Sequence, residues 1–325
     1  DAASAKLDAV GIVVAYNGEE AGAFCTATLI ASDLVLTSKS CVAHQNASGA
    51  SETFLSKGKV AFRIGPDLRA PKREIQAKEL YQCALNAGGS AGCDVAIYRL
   101  AEPVTDIAPI TPAKTSVPKS LVGQDATIIG YGAQGVDELS GGIRRMATTT
   151  IRAIEGQEKA TLFSTLEQFT TEFAKLEGRE AATKYEGALE YTYNYRLLPE
   201  YEVAVGGRSG NGDTCKGDAA APLIVNENGT LVLYGVSQTY MAGVRSQCLP
   251  FGAIFATFGP EAQKLIGRAV TNDPCFGLPE AGRCDGAVVE RCSRPDEGGA
   301  RRIVRTDCDA LALSCAVGAN GAMCR

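Results

Sequence analysis

Gly217-Asp218-Ala219-Ala220-Ala221-Pro222-Leu223 is the stretch around which the rest of the chain is read. Behind an acid it carries three methyl side chains in a row, and a methyl group cannot attack a carbonyl. Working outward, Asp213 and Cys215 precede the stretch, and Cys248 follows it. Leu231 to Ser237 and Phe251 to Phe255 are apolar runs rich in β-formers, and both read as strands. Upstream, Val10 to Val14 is a β-branched run, and Thr28 to Thr37 reads as two short strands around a turn.

Several stretches resemble motifs of the trypsin-like (chymotrypsin-fold) serine proteases. The nucleophile loop of that family usually reads Gly-Asp-Ser-Gly-Gly-Pro-Leu, so Ala219 stands where the family keeps its serine. Phe24 to Ile30 followed by Leu34 to Cys41 is similar to the first half of the first barrel. In the family Cys25 and Cys41 would bridge, and the residue before the second is the catalytic histidine, here Ser40. Asp94-Val95-Ala96-Ile97-Tyr98-Arg99-Leu100 resembles the strand that opens with the triad aspartate, which is retained as Asp94. Its task in an active enzyme is to fix the histidine tautomer and stabilise the imidazolium. Ile128-Ile129-Gly130-Tyr131-Gly132 resembles the strand opening the second barrel, after a Pro-containing linker over 103–118.

The resemblance covers roughly residues 8–270 and implies an all-β fold, two antiparallel six-stranded barrels. It implies an oxyanion hole from the backbone N–H groups of Gly217 and Ala219, and a substrate pocket at Asp213, Ser237, Thr239 and Gly252. Asp213 matches the residue that selects Arg or Lys, because a carboxylate pairs well with a guanidinium. Thr239 replaces a glycine and adds bulk at the pocket mouth, so two readings stand: an open Arg/Lys-accepting pocket, or a solvent-paired Asp213. Cys215 and Cys248 match the bridge that shapes the pocket wall. The family's Ile-Val-Gly-Gly start, whose amine pairs with the residue matching Asp218, does not occur in this sequence. Asp218 then pairs with a side chain, or the pocket keeps a zymogen-like state. His44, the single histidine, lies four residues beyond Ser40 and is expected in a short surface helix.

Residues 156–198 depart from the small-protease pattern. Leu162, Leu166, Phe169, Phe173 and Leu176 recur at helical spacing before Gly178, and a weaker helical run with Tyr185, Tyr191, Tyr193 and Tyr195 follows. The insertion is expected to pack its apolar stripe on the barrel, with a partner-binding face as the sharper reading, since tyrosines suit interfaces. A terminal helix is expected from Pro260. Two domains follow: 1–272, trypsin-like, and 273–325, a disulfide-stapled β module.

Twelve cysteines with one histidine favour six disulfides over a zinc set, hence a secreted or periplasmic protein. Cys83 and Cys93 are expected to close their own Gly-rich loop. Cys275, Cys284, Cys292, Cys308, Cys315 and Cys324 crowd the last segment, where three bridges at roughly 2–4 kcal/mol each would make up for a small core. Their pairing stays open. The sequons at Asn46 and Asn228 are short matches of little weight. Asp1 to Ala5 has no charged region leading into an apolar one, as expected once a signal peptide has been removed.

A net charge of −5 argues against nucleic acid, and no apolar run approaches the ~18 residues of a membrane span. No cofactor or metal is expected. Without a base at Ser40 or a nucleophile at Ala219, the chain is expected not to turn over peptides usefully. Three functions remain: an inactive homologue that binds a protein or peptide in the remnant cleft or on the insertion; an endopeptidase inactivated by design, whose parent carried histidine at 40 and serine at 219; and an adhesion or scaffold protein acting through its C-terminal module.

Overall fold

β-branched and aromatic residues, alternating or in short buried runs, close into two antiparallel barrels in a computed structural model that describes residues 7–17, 20–45, 51–83, 93–133, 141–207, 212–240, 248–293, 302–319 and 321–325. The first barrel runs β1 (Val10–Asn17), β2 (Glu20–Ala31), β3 (Leu34–Thr37), β4 (Val60–Ile64), β5 (Arg73–Gln82) and β6 (Ala96–Leu100). It closes in the order β1-β2-β3-β6-β5-β4. Strands β3 and β6 are buried throughout, which is why they read as continuous apolar runs rather than alternating ones. Ile12, Leu29, Leu36, Phe62 and Ile97 fill the interior, each contributing roughly 1.5–3 kcal/mol by leaving water.

The second barrel is built from β8 (Asp125–Gly130), β9 (Arg145–Ala153), β10 (Glu202–Val205), β11 (Pro222–Glu227), β12 (Thr230–Tyr240) and β13 (Ala253–Thr257). Its order is β11-β8-β9-β10-β13-β12, and pairing of β11 with β12 closes it. The linker is strapped to both barrels. Its short strand β7 (Thr111–Pro112) lies parallel to β12, Ile110 N–H donates to Leu29 O, and Val104, Ile110 and Val117 are buried.

Between β9 and β10 the insertion forms α1 (Leu166–Glu177), α2 (Arg179–Lys184) and α3 (Glu186–Asn194). Thr165 caps α1 by accepting from Gln168 N–H, and Gly178 ends it at φ +94°. Phe163, Phe169, Phe173, Leu189 and Tyr193 make one cluster with Leu249 and Phe251, so the insertion does pack on the second barrel. The stripe departs from expectation at its last turn. Leu176 is exposed there and Glu177 is buried, because the buried face of the helix turns onto the neighbouring position.

After Gln263 the chain belongs to a second compact unit, Lys264–Arg325, with helix α4 (Pro260–Thr271) running across the division. The second unit holds a three-stranded sheet, β14 (Arg283–Asp285), β15 (Val288–Cys292) and β16 (Ile303–Asp307), and a hairpin, β17 (Cys315–Gly318) and β18 (Gly321–Cys324). Val289, Cys308 and Ala322 form its small core, with Cys284, Cys315 and Cys324 against it. Bridges Cys275–Cys292, Cys284–Cys315 and Cys308–Cys324 resolve the pairing that sequence left open. In the first unit Cys25–Cys41, Cys83–Cys93 and Cys215–Cys248 are joined.

Candidate functional site

Asp94 sits just before β6 and is almost fully buried, with both carboxylate oxygens occupied. Ser38 Oγ donates to Oδ2 at 2.7 Å, and Ser40 N–H donates to Oδ1 at 3.1 Å. Ser38 is the N-cap of the 3-10 turn Lys39–Cys41, so the turn that brings Ser40 to the acid also aims Ser38 at it. Ser40 Oγ lies 2.6 Å from Ser38 Oγ. A hydroxyl has one proton, and that of Ser38 goes to Asp94, so Ser40 is the donor in this contact. The result is a chain of hydroxyls ending on a carboxylate, with no group that titrates near neutrality as imidazole would.

Sequence reasoning missed Ser38. The motif drew attention to Ser40 alone, although Ser38 is the only other hydroxyl between Thr37 and Cys41. His44 belongs to a short strand, Ala43–Gln45, paired with Ser51–Thr53, and not to the expected helix. Backbone pairing of His44 with Glu52 wins over helical propensity there; its side chain lies outside the described residues.

The loop from Cys215 to Ala221 is held from several sides. Asp218 accepts Gly132 N–H on Oδ1 at 2.7 Å and Cys215 N–H on Oδ2 at 2.9 Å, and its burial raises its pKa. Backbone amides thus donate hydrogen bonds to Asp218, and the Arg145 charge also acts on it. Ala219 O accepts Thr26 N–H at 2.9 Å, which ties the loop to the first barrel. Ala220 occupies the left-handed region at φ +62°, an uncommon place for a residue with a Cβ. Among the described residues no acceptor takes the N–H of Gly217 or of Ala219.

Asp213 accepts Gly207 N–H at 3.0 Å on Oδ1 and Gly252 N–H at 3.2 Å on Oδ2. The approach requires glycine at Gly206, at φ +70°, where a Cβ would collide with Oδ1 of Asp213. Burial pushes Asp213 up to about 6, with the two amides and the charges of Arg152 and Lys159 working against that rise. These two cations come from β9 and from the 3-10 turn Lys159–Thr161 at the root of the insertion. Glu158 pairs with both, through Arg152 Nη2 and through Lys159 Nζ at 2.9 Å. Lys159 also donates to Phe251 O at 2.7 Å, and burial lowers its pKa.

Ser237 is buried in β12 with its Oγ unpartnered among the described residues, and the Thr214 hydroxyl beside Asp213 is likewise unpartnered. Thr239 pairs with Ile254 through the backbone, and its side chain lies outside the described residues. A cavity of about 450 Å³ borders Asp213, Asp218, Cys215 and Cys248, with Ile129, Met146 and Leu249 among its apolar walls.

Two comparisons bear on this arrangement. The family model for trypsin matches residues 4–184. The solved structure of mouse neuropsin, a serine protease expressed in the limbic system of the brain, superposes with a TM-score of 0.51 at 19% identity, over 83% of this chain and 96% of that one. At that identity the likeness concerns the fold.

Proposed function

The chain belongs to the trypsin family, and on that footing we propose that it is a catalytically inactive member that works by binding a protein or peptide. The observation that carries this reading is the occupancy of Asp94. An active enzyme needs a base to take the nucleophile's proton, and the acid's part is to orient that base. Here Asp94 is engaged by Ser38 and the backbone of Ser40. In the loop from Cys215 to Ala221, Ala219 offers a methyl group. Losing either the base or the nucleophile costs about as much as losing the whole triad, since they act as a unit.

What remains is suited to holding a chain rather than cutting it. The N–H groups of Gly217 and Ala219, which take no acceptor among the described residues, can receive a ligand carbonyl. The share taken by Ser38 favours a natural inactive homologue over a parent enzyme altered only at 40 and 219, because a third residue closes the gap. Six disulfides in the described residues are consistent with an oxidising compartment, and no described helix is long and apolar enough to cross a membrane. The 1–272 and 273–325 division then pairs a binding cleft with an appended module.

The test is hydrolysis of fluorogenic peptides, with a panel of P1 residues, by this chain and by Ser40→His/Ala219→Ser with and without Ser38→Ala. The chain itself is expected to show no turnover. Turnover by the unaltered chain above the buffer rate, lost on Asp94→Asn, would overturn the reading. Activity appearing in the restored variants shows an intact cleft. Activity that needs Ser38→Ala as well identifies Ser38 as the residue that displaced the base.

A further inference from the structure

The acid at the foot of the pocket is not the bare carboxylate that the motif suggests. Asp213 lies in a cluster with Glu158, Arg152 and Lys159, two acids and two bases with a formal sum of zero. All four are largely or fully buried. The link between Arg152 and the pocket is Gly252. Its N–H donates to Asp213 Oδ2, and a Cβ placed on it would collide with Nη2 of Arg152. The guanidinium therefore lies against the backbone that holds Asp213. Lys159 grips the preceding residue from the same side through Phe251 O. Glu158 holds both cations in place, and its backbone O accepts from Arg152 Nη1 at 3.2 Å.

We propose that Arg152 is a specificity-determining residue: seated by Glu158 and Lys159, it serves Asp213 as an internal counter-cation, so the pocket takes an uncharged side chain in preference to Arg or Lys. The proposal rests on the reading of the Asp213 pocket as part of a binding cleft, and on no statement about catalysis. A cationic ligand gains less from a buried carboxylate whose charge is already balanced by a fixed cation. Here an entering guanidinium would meet the amides of Gly207 and Gly252 already on Asp213, and a like charge beside them. Either cation removed leaves the cluster one negative charge in excess, which is the condition a basic ligand needs.

The experiment compares benzamidine with its uncharged isostere benzamide, by ligand-observed NMR titration at pH 8, where Asp213 is ionised. The probes are measured against the full chain, Arg152→Met, Lys159→Met and Asp213→Asn, each checked for folding by circular dichroism. The unaltered chain is expected to bind the two probes within about threefold of each other, or neither measurably. Arg152→Met or Lys159→Met is expected to favour benzamidine at least tenfold. A tenfold preference for benzamidine already present in the unaltered chain and lost in Asp213→Asn overturns the proposal. So does a folded Arg152→Met with no gain in benzamidine binding. Should both cation variants fail to fold, the probe ratio in the unaltered chain and in Asp213→Asn still decides. Because the readout is binding, its failure is separable from that of the inactivity assay, which reads turnover.

Discussion

Two buried acids of the same family motif set have met opposite fates. At Asp94 both carboxylate oxygens are taken by hydroxyl and amide donors supplied within three residues of chain. At Asp213 the charge is answered by two cations distant in sequence, one from β9 and one from the root of the insertion. The first solution is local and uses uncharged donors only. The second is a four-charge network whose members depend on one another. A retained acid thus says little about retained chemistry until its partners are known.

The sharpest way to break the comparison is to remove the hub of the network. Glu158→Ala strands two buried cations, and is expected to destabilise by about 3–5 kcal/mol in urea unfolding. A cost near that of a surface change would mean that the cations are independently solvated.

Next in size is a pH effect confined to the Asp213 end. Its pKa is raised from 3.8 to about 6, so the folded state binds the proton more tightly than the unfolded chain does. The contribution of Asp213 is then fully present below about pH 4 and is lost as pH rises towards 6. Two units correspond to about 3 kcal/mol as an upper figure. The difference in unfolding free energy between the unaltered chain and Asp213→Asn should change across that window, and a flat difference would contradict the burial of this acid.

The smallest effect separates the two serines at the Asp94 end. Ser38→Ala leaves a buried carboxylate oxygen short of its donor and should cost about 1–3 kcal/mol. Ser40→Ala keeps the backbone donor, removes an exposed hydroxyl, and should cost about 0.5 kcal/mol or less. Equal costs would mean that Asp94 is held by the pair as one unit.

The fold was legible because its signals are local. The loop at Gly217, the strand behind Asp94 and the strand before Gly132 each announce themselves in a few residues. The helical stripe from Leu166 to Phe173 obeys a period visible by counting; Leu162 falls before the helix, and the failure at Leu176 is a matter of how one turn meets the barrel. The site was legible only as positions. Ser38 was invisible as a partner because the separation of 56 positions between it and Asp94 closes up only when β3 and β6 pair. Nothing in a linear pattern says that Glu158 joins Arg152 and Lys159, or that these two reach Gly252 and Phe251.

The bridges of the C-terminal unit overlap along the chain: 275 to 292, 284 to 315, and 308 to 324. Every peptide bond from Cys275 to Cys324 therefore lies inside at least one cystine loop. A single backbone cut anywhere in that span leaves both pieces covalently attached, and they separate on a gel only after reduction. The bridges of the first unit, 25 to 41, 83 to 93 and 215 to 248, leave long spans between them, and a cut within the helical insertion would part the chain at once. The C-terminal cystine loops thus hold together as one covalent piece after any single cut between Cys275 and Cys324.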